Sequence, residues 1–308
     1  MRLGKRLGRW LGWLLVGLSL VFIGARLAQG DAWQLARPQL APLLLASAAG
    51  ALAYGLASFL LSAAWRQILA LERPPGPSAG YHAVYGRTQI AKYLPGNCFH
   101  FVGRQLLGRT LGHSQGALAL ASALEAALLV ALAAGLAAPL ARSWLGGWAW
   151  LLPLAAAAGV LLLSSAGRLL PARWAPWPER PPPGRMLAAL ACHGTFFTLV
   201  AGLLWLLAAA ALGAAGGAPG LPTCLSALAL AWAAGFVVPG SSAGLGVREA
   251  VLILALEGSL GHEASAVVAL AFRLVTTAGD GVFCLLALLL PLPQDSRDGY
   301  TAAAKHRL

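Results

Sequence analysis

Two short stretches place polar and basic side chains inside an otherwise apolar chain. Residues 92 to 104, KYLPGNCFHFVGR, set Lys92, His100 and Arg104 around a Pro95-Gly96 break, with Arg87 shortly upstream. Residues 237 to 249, VVPGSSAGLGVRE, set Ser241, Ser242, Gly244, Gly246, Arg248 and Glu249 just after Pro239-Gly240. The chemistry these types support is anion binding. A helix starting near Val247 would have free N–H groups and a partial positive charge at its first turn, which attract phosphate. Arg248 in that turn would ordinarily oppose the dipole, and an anion lying between the two explains its placement. In the first stretch Asn97 is suited to cap the following helix, Lys92, His100 and Arg104 add donors, and Arg87 stands near the entrance.

The elements that must position these residues are membrane helices. Hydrophobic residues make up 59% of the 308-residue chain and charged residues 10%, against about 25% charged in soluble domains, and mean hydropathy is +0.73. Stretches long enough to cross about 30 Å of hydrocarbon run Trp10 to Ala28, Pro42 to Trp65, Gly116 to Leu140, Trp148 to Ser165, Met186 to Leu212 and Ser265 to Leu290. Two more apolar segments, Tyr85 to Leu107 and Leu221 to Leu256, are broken near their middles by Pro-Gly. The expected fold is an all-α polytopic bundle of about six full transmembrane helices with two oppositely oriented re-entrant Pro-Gly hairpins. It forms one membrane domain over 1–308, with halves 1–172 and 186–292, a proline-rich linker 173–185 and a short tail 293–308.

Charge bias sets the expected orientation, because short cytoplasmic loops carry excess Lys and Arg. With the basic N-terminus inside, on a first helix that is retained and not cleaved, Arg66, Arg73 and Arg87 follow the second span. Arg168, Arg173, Arg180 and Arg185 follow the fourth. The opposite loops hold Arg37 with Asp31, Arg142 alone, and the uncharged stretch 213–220. This count works only if each Pro-Gly segment enters and leaves on one side, the first from the cytoplasm and the second from outside. Non-helical backbone at membrane depth is tolerated where it lines a cavity or is buried in protein, so the two tips should meet at a polar cavity. Their shared spacing, an arginine at the ninth position after each proline (Arg104 and Arg248), points to an inverted repeat with a site at its interface.

Further charges lie within the apolar spans. Glu125, Glu249, Arg273 and Asp280 each cost about 2.5 to 3.5 kcal/mol at the bilayer centre on insertion scales, so they should face one another or water. Arg273 and Asp280 are seven residues apart on roughly one helical face, and an ion pair between them is the plain structural expectation. The net charge of +12 is spread between spans and forms no basic stripe, which argues against nucleic acid. Cys98, Cys192, Cys224 and Cys284 show no metal or disulfide spacing and are expected to pack as small apolar side chains. No metal and no cofactor are expected. Trp144, Trp148 and Trp150 near span ends suit interfacial anchoring.

The stretch YGRTQIAKYLPGNCFHFVGR, with PGSSAGLGVREA and the later ALAFRL, resembles the flippase-like transmembrane domain of the lysylphosphatidylglycerol synthase family. The likeness covers nearly the whole chain. It implies an all-helical membrane domain handling polar lipids, standing alone without the soluble synthase domain that two-domain members attach after it. Matched positions are Lys92, Tyr93, Pro95, Gly96 and Arg104, then Pro239, Gly240, Gly244, Gly246, Arg248 and Glu249, with Arg273 in the last span. Ser241-Ser242 depart from the pattern, standing where glycines are common.

Three functions follow as expectations. One is a translocase in a bacterial cytoplasmic membrane, both termini inside, moving an anionic or aminoacylated phospholipid or a related polyprenyl-linked lipid. The second is a membrane enzyme acting on a phospholipid or polyprenyl phosphate, with Glu249 or His100 as acid or base. Against it stands the lack of any nucleophile-and-base pair or nucleotide motif. The third is a non-transporting accessory subunit of a lipid- or glycan-synthesis enzyme. Self-association is compatible with all three.

Overall fold

A computed structural model describes residues 37–94, 98–164, 183–212, 217–238 and 242–292. Among them lie nine α-helices: α1 (Leu40–Leu69), α2 (Ser78–Gln89), α3 (Phe99–Leu107), α4 (Gln115–Leu145), α5 (Leu151–Ser164), α6 (Pro183–Leu212), α7 (Leu221–Val237), α8 (Val247–Leu260) and α9 (His262–Leu288). The described residues contain no strand, and the protein is an all-α polytopic membrane bundle. Helices α1, α4, α6 and α9 are long and apolar enough to cross a bilayer. The expected span Trp148 to Ser165 is a 3₁₀ turn at Gly146–Trp150 followed by the shorter α5, and the expected first span lies outside the described residues.

Both interrupted segments fold as helix, break, helix. In the first, α2 ends in a 3₁₀ turn at Ile90–Tyr93 because its last turn tightens before the extended Leu94 and the proline that follows. The chain then returns as α3. The base of this hairpin closes on itself: Arg73 donates to the Leu111 carbonyl at 2.5 Å. Glu72 accepts from the Ser114 N–H at 3.2 Å and bonds His113 Nδ1 at 2.6 Å. Entry and exit therefore lie at one end of the bundle, as a re-entrant hairpin requires. In the second segment α7 and α8 lie side by side, with the Arg248 side chain against Gly235.

Contacts between the long helices fix the relative direction of the hairpins. Arg185 at the start of α6 donates to Gln67 at the end of α1 (2.7 Å), and Tyr54 meets Phe196 edge-on at 5.7 Å, so α1 and α6 are antiparallel. Helix α9 runs parallel to α1, since Gly50 abuts Val275 and Gly55 abuts Gly279 and Val282. The second hairpin, which leaves α6 and enters α9, therefore opens at the end opposite the first. The order long helix, hairpin, long helix occurs twice, as α1 to α4 and as α6 to α9, in opposite directions.

The α1–α9 seam depends on small residues, because between membrane helices close approach replaces the hydrophobic effect as the source of attraction. A Cβ added at Gly279 would come within 2.6 Å of the Tyr54 ring and 2.9 Å of the Ala51 carbonyl. Four residues of the seam, Gly50, Gly55, Tyr54 and Gly279, thus hold α9 at a distance that also positions its charged face. The cysteines are free; Cys224 is buried, Cys192 and Cys284 are half-buried, and Cys98, exposed before α3, departs from the expected apolar packing. Trp148 and Trp150 are exposed just past the end of α4, as interfacial anchors would be.

Two expected outcomes follow. Gly279→Ala should lower the melting temperature in detergent by the equivalent of about 1–3 kcal/mol, the usual cost of overpacking. Gly281→Ala, whose added methyl meets nothing within 4 Å, should leave it unchanged, and equal melting of the two would contradict a seam that depends on close approach. At the hairpin base, burial raises the Glu72 carboxyl, but hydrogen bonds from His113 and Ser114 and the charge of His113 outweigh it and hold it below its ordinary 4.5. A depressed carboxyl stabilises above its unfolded value and loses that contribution as pH falls through its folded value. Glu72→Gln should therefore be less stable than wild type by about 1–2 kcal/mol at neutral pH. The gap should close as the pH of the melt is taken below 4.5.

Candidate functional site

The tips of the two hairpins meet against the middle of α9. From the first tip, Lys92 pairs with Asp280 at 2.7 Å and the Tyr93 hydroxyl donates to the same carboxylate oxygen at 2.6 Å. From the second, the Ala243 carbonyl accepts from Arg273 at 3.1 Å. That turn, Ser242–Gly244, carries Ala243 in the left-handed region at φ 50°. Gly244 follows at φ 74°, and the Arg248 side chain fills the space where its Cβ would be. Pro95, Gly96, Asn97, Pro239, Gly240 and Ser241 lie outside the described residues, so the expected Asn97 cap falls there too.

The intramembrane charges are sorted into pairs that differ from the plain expectation. Arg273 and Asp280 are not paired with each other. Arg273 Nε lies 3.3 Å from Glu249 Oε1, and Asp280 takes Lys92. The reason is the tips themselves, which insert a closer partner beside each charge of α9. Arg104, 2% exposed, forms an ion pair with Glu125 and donates to Gln89 at 3.0 Å. Its guanidinium lies 3.6 Å from the Tyr85 ring centre, and Tyr85 donates to the other Glu125 oxygen at 2.7 Å. Lys92, half-buried, and Arg104, buried, are thus partners of carboxylates, not side chains reaching for the membrane surface.

The start of α8 is already occupied by the chain. Glu249 accepts from the Gly246 N–H at 2.6 Å while facing Arg273. A glutamate three residues into a helix commonly reaches back in this way. The anion at the helix start is therefore internal, Glu249, and it faces Arg273 and not Arg248. Arg87 also departs from expectation. It donates to the carbonyls of Ala287, Leu288 and Leu290, closing the C-terminal end of α9 where cations are favoured. Its Nε and Nη2 donate there, and it borders neither of the two cavities described below.

Two adjoining cavities remain. One of about 70 Å³ is bounded by Lys92, His100, Arg104, Glu125 and Arg248. Another of about 40 Å³ is bounded by Arg248, Glu249, Arg273 and Thr276. Tyr54, Phe196, Trp232 and Arg248 border both and stand between them. At roughly 10–15 Å³ per water, the larger has room for several waters or a small polar group. Arg248 is the exception in the charge pattern. Among the described residues it has no carboxylate within ion-pair distance, its buried Nε has no hydrogen-bond partner, and it leans over Trp232 at 5.9 Å. His100 also faces the larger cavity, with Nδ1 unpartnered among the described residues.

Sequence reasoning missed Tyr85, Gln89, Tyr54 and Trp232. A signal existed for the first two: a phenol and an amide four apart in an apolar stretch share one helical face. Tyr54 and Trp232 look like ordinary apolar packing, and only the folded arrangement brings them to the cavity.

Removing one partner of a buried pair leaves an uncompensated charge at a cost of about 3–5 kcal/mol. Glu125→Gln should therefore melt well below wild type in detergent. Arg104→Met combined with Glu125→Leu should recover most of the loss, and a double variant no more stable than Glu125→Gln alone would contradict the pairing. Compared with protein-family models and with curated protein sequences, the chain matches none.

Proposed function

We propose that the protein is a lipid translocase of the lysylphosphatidylglycerol synthase flippase-like kind, moving an anionic or aminoacylated phospholipid headgroup through the junction of the two hairpins. One observation carries this reading: Arg248, alone among the described intramembrane cations, has no counter-charge and faces both cavities between opposed hairpin tips. An uncompensated cation at that depth is costly, and a phosphate that shares its cavity would offset the cost. Because the hairpins reach inward from opposite ends of the bundle, a headgroup held at Arg248 would sit between the two leaflets while its acyl chains stay in the hydrocarbon.

The charge bias supports a cytoplasmic position for the end that carries the first hairpin. Arg66, Arg73, Arg109 and Arg185 gather there, and a bacterial inner membrane fits the family likeness. Of the two acid–base candidates of the enzyme reading, Glu249 is held by Gly246 and Arg273, which leaves His100 at the larger cavity with no nucleophile paired to it among the described residues.

The test is leaflet exchange of labelled anionic phospholipid in vesicles containing the purified protein. Wild type should accelerate exchange over protein-free vesicles, Arg248→Ala should lose about tenfold or more, and Arg248→Lys should retain part, since a point charge replaces a planar fork. Wild-type vesicles no faster than empty ones, or Arg248→Ala equal to wild type, would sink the proposal.

A further inference from the structure

The balance of charge around the cavities narrows the class of headgroup, provided that the cavity beside Arg248 is a headgroup site. Four cations, Lys92, Arg104, Arg248 and Arg273, meet three carboxylates, Glu125, Asp280 and Glu249. Each carboxylate is consumed by one cation, which leaves a surplus of one positive charge among the described residues. The tip residues 95–97 and 239–241 carry no ionisable side chain and do not alter the sum. At pH 7.5 an imidazole with its ordinary value near 6.5 counts as neutral, so His100 adds nothing.

We infer that the site selects a phosphodiester headgroup bearing a single net negative charge and an uncharged alcohol, and discriminates against phosphomonoester, zwitterionic and aminoacylated headgroups. The reason is desolvation. In a buried site each residual charge is penalised whatever its sign. A monoanionic phosphodiester brings the sum to zero. A phosphomonoester, carrying close to two negative charges at this pH, leaves it negative. A zwitterion leaves the surplus cation uncancelled, and an aminoacylated phosphatidylglycerol, net positive, adds to it. An added ammonium finds no free carboxylate in the walls, because Glu125, Asp280 and Glu249 each already hold a cation.

The experiment offers the purified full-length protein in detergent an equimolar mixture of phosphatidylglycerol, phosphatidate, phosphatidylethanolamine and lysyl-phosphatidylglycerol of identical acyl chains at pH 7.5. Retained lipid is read by native mass spectrometry. Phosphatidylglycerol should be retained about tenfold or more over each of the others. Equal retention of phosphatidate or of the aminoacylated lipid would overturn the inference. Asp280→Asn raises the surplus to two and should turn the preference toward phosphatidate, whereas an unchanged ranking would count against it. Should that variant not fold, Glu249→Gln makes the same change in charge, and the wild-type ranking stands by itself as a test. Soluble glycerophosphoglycerol, which has the same phosphodiester without acyl chains, should compete only weakly, and full competition would overturn the assignment to a lipid. Leaflet exchange of the same four lipids separates the two proposals. Selective retention without exchange removes translocation and supports the charge rule, while equal exchange of all four without selective retention removes the charge rule and supports translocation.

Discussion

A charge at the centre of a bilayer must find an opposite charge or water, and in this protein that requirement ties the hairpins to the long helices. Among the described residues, each of the three pairs that a lysine or arginine makes with a carboxylate joins different elements: Lys92 of the first tip to Asp280 of α9, Arg104 of α3 to Glu125 of α4, and Glu249 of α8 to Arg273 of α9. Because breaking one buried pair costs more than most single packing contacts, the pairs act as registration points for segments too short to span the membrane by themselves. The depth of each tip is thereby set by where its charge can be matched.

Packing supplies the other half of the constraint. Glycines along the α1–α9 seam let the two helices approach until the Tyr54 ring lies directly against Gly279. This presents Arg273 and Asp280 to the hairpins instead of to lipid. At the base of the first hairpin Glu72, Arg73, His113 and Ser114 close the loop in the more polar region, where a single carboxylate can serve two donors. The tip is consequently held from both ends, by polar bonds at its base and by Lys92 and Tyr93 at its apex.

Opposed entry has a functional consequence that neither hairpin could produce alone. Each tip reaches only to mid-bundle, so the two meet, and the cavities lie where their polar ends converge. Seven charges gather there and six cancel. Arg248 remains because the neighbour that could have neutralised it, Glu249, is turned toward the Gly246 amide and Arg273. The side chain next in sequence is thus the internal anion of the helix start, and the unmatched cation points to the space shared by both cavities.

Much of this was present in the order of residues. Apolar length, the two Pro-Gly breaks and the distribution of arginines led to a helical membrane bundle with two hairpins entering from opposite ends, because hydrocarbon thickness and backbone hydrogen bonding leave few alternatives. The residues around the breaks also identified the region where charge would collect. Partner choice was not available from sequence: Arg273 and Asp280 share a helical face and look like a pair, Arg87 looks like a ligand, and Arg248 looks like a residue facing an anion at its own helix start. Which charge cancels which depends on distances of a few ångströms between segments far apart in the chain. Only the tertiary packing sets those distances, and it left Arg248 as the cation without a match among the described residues.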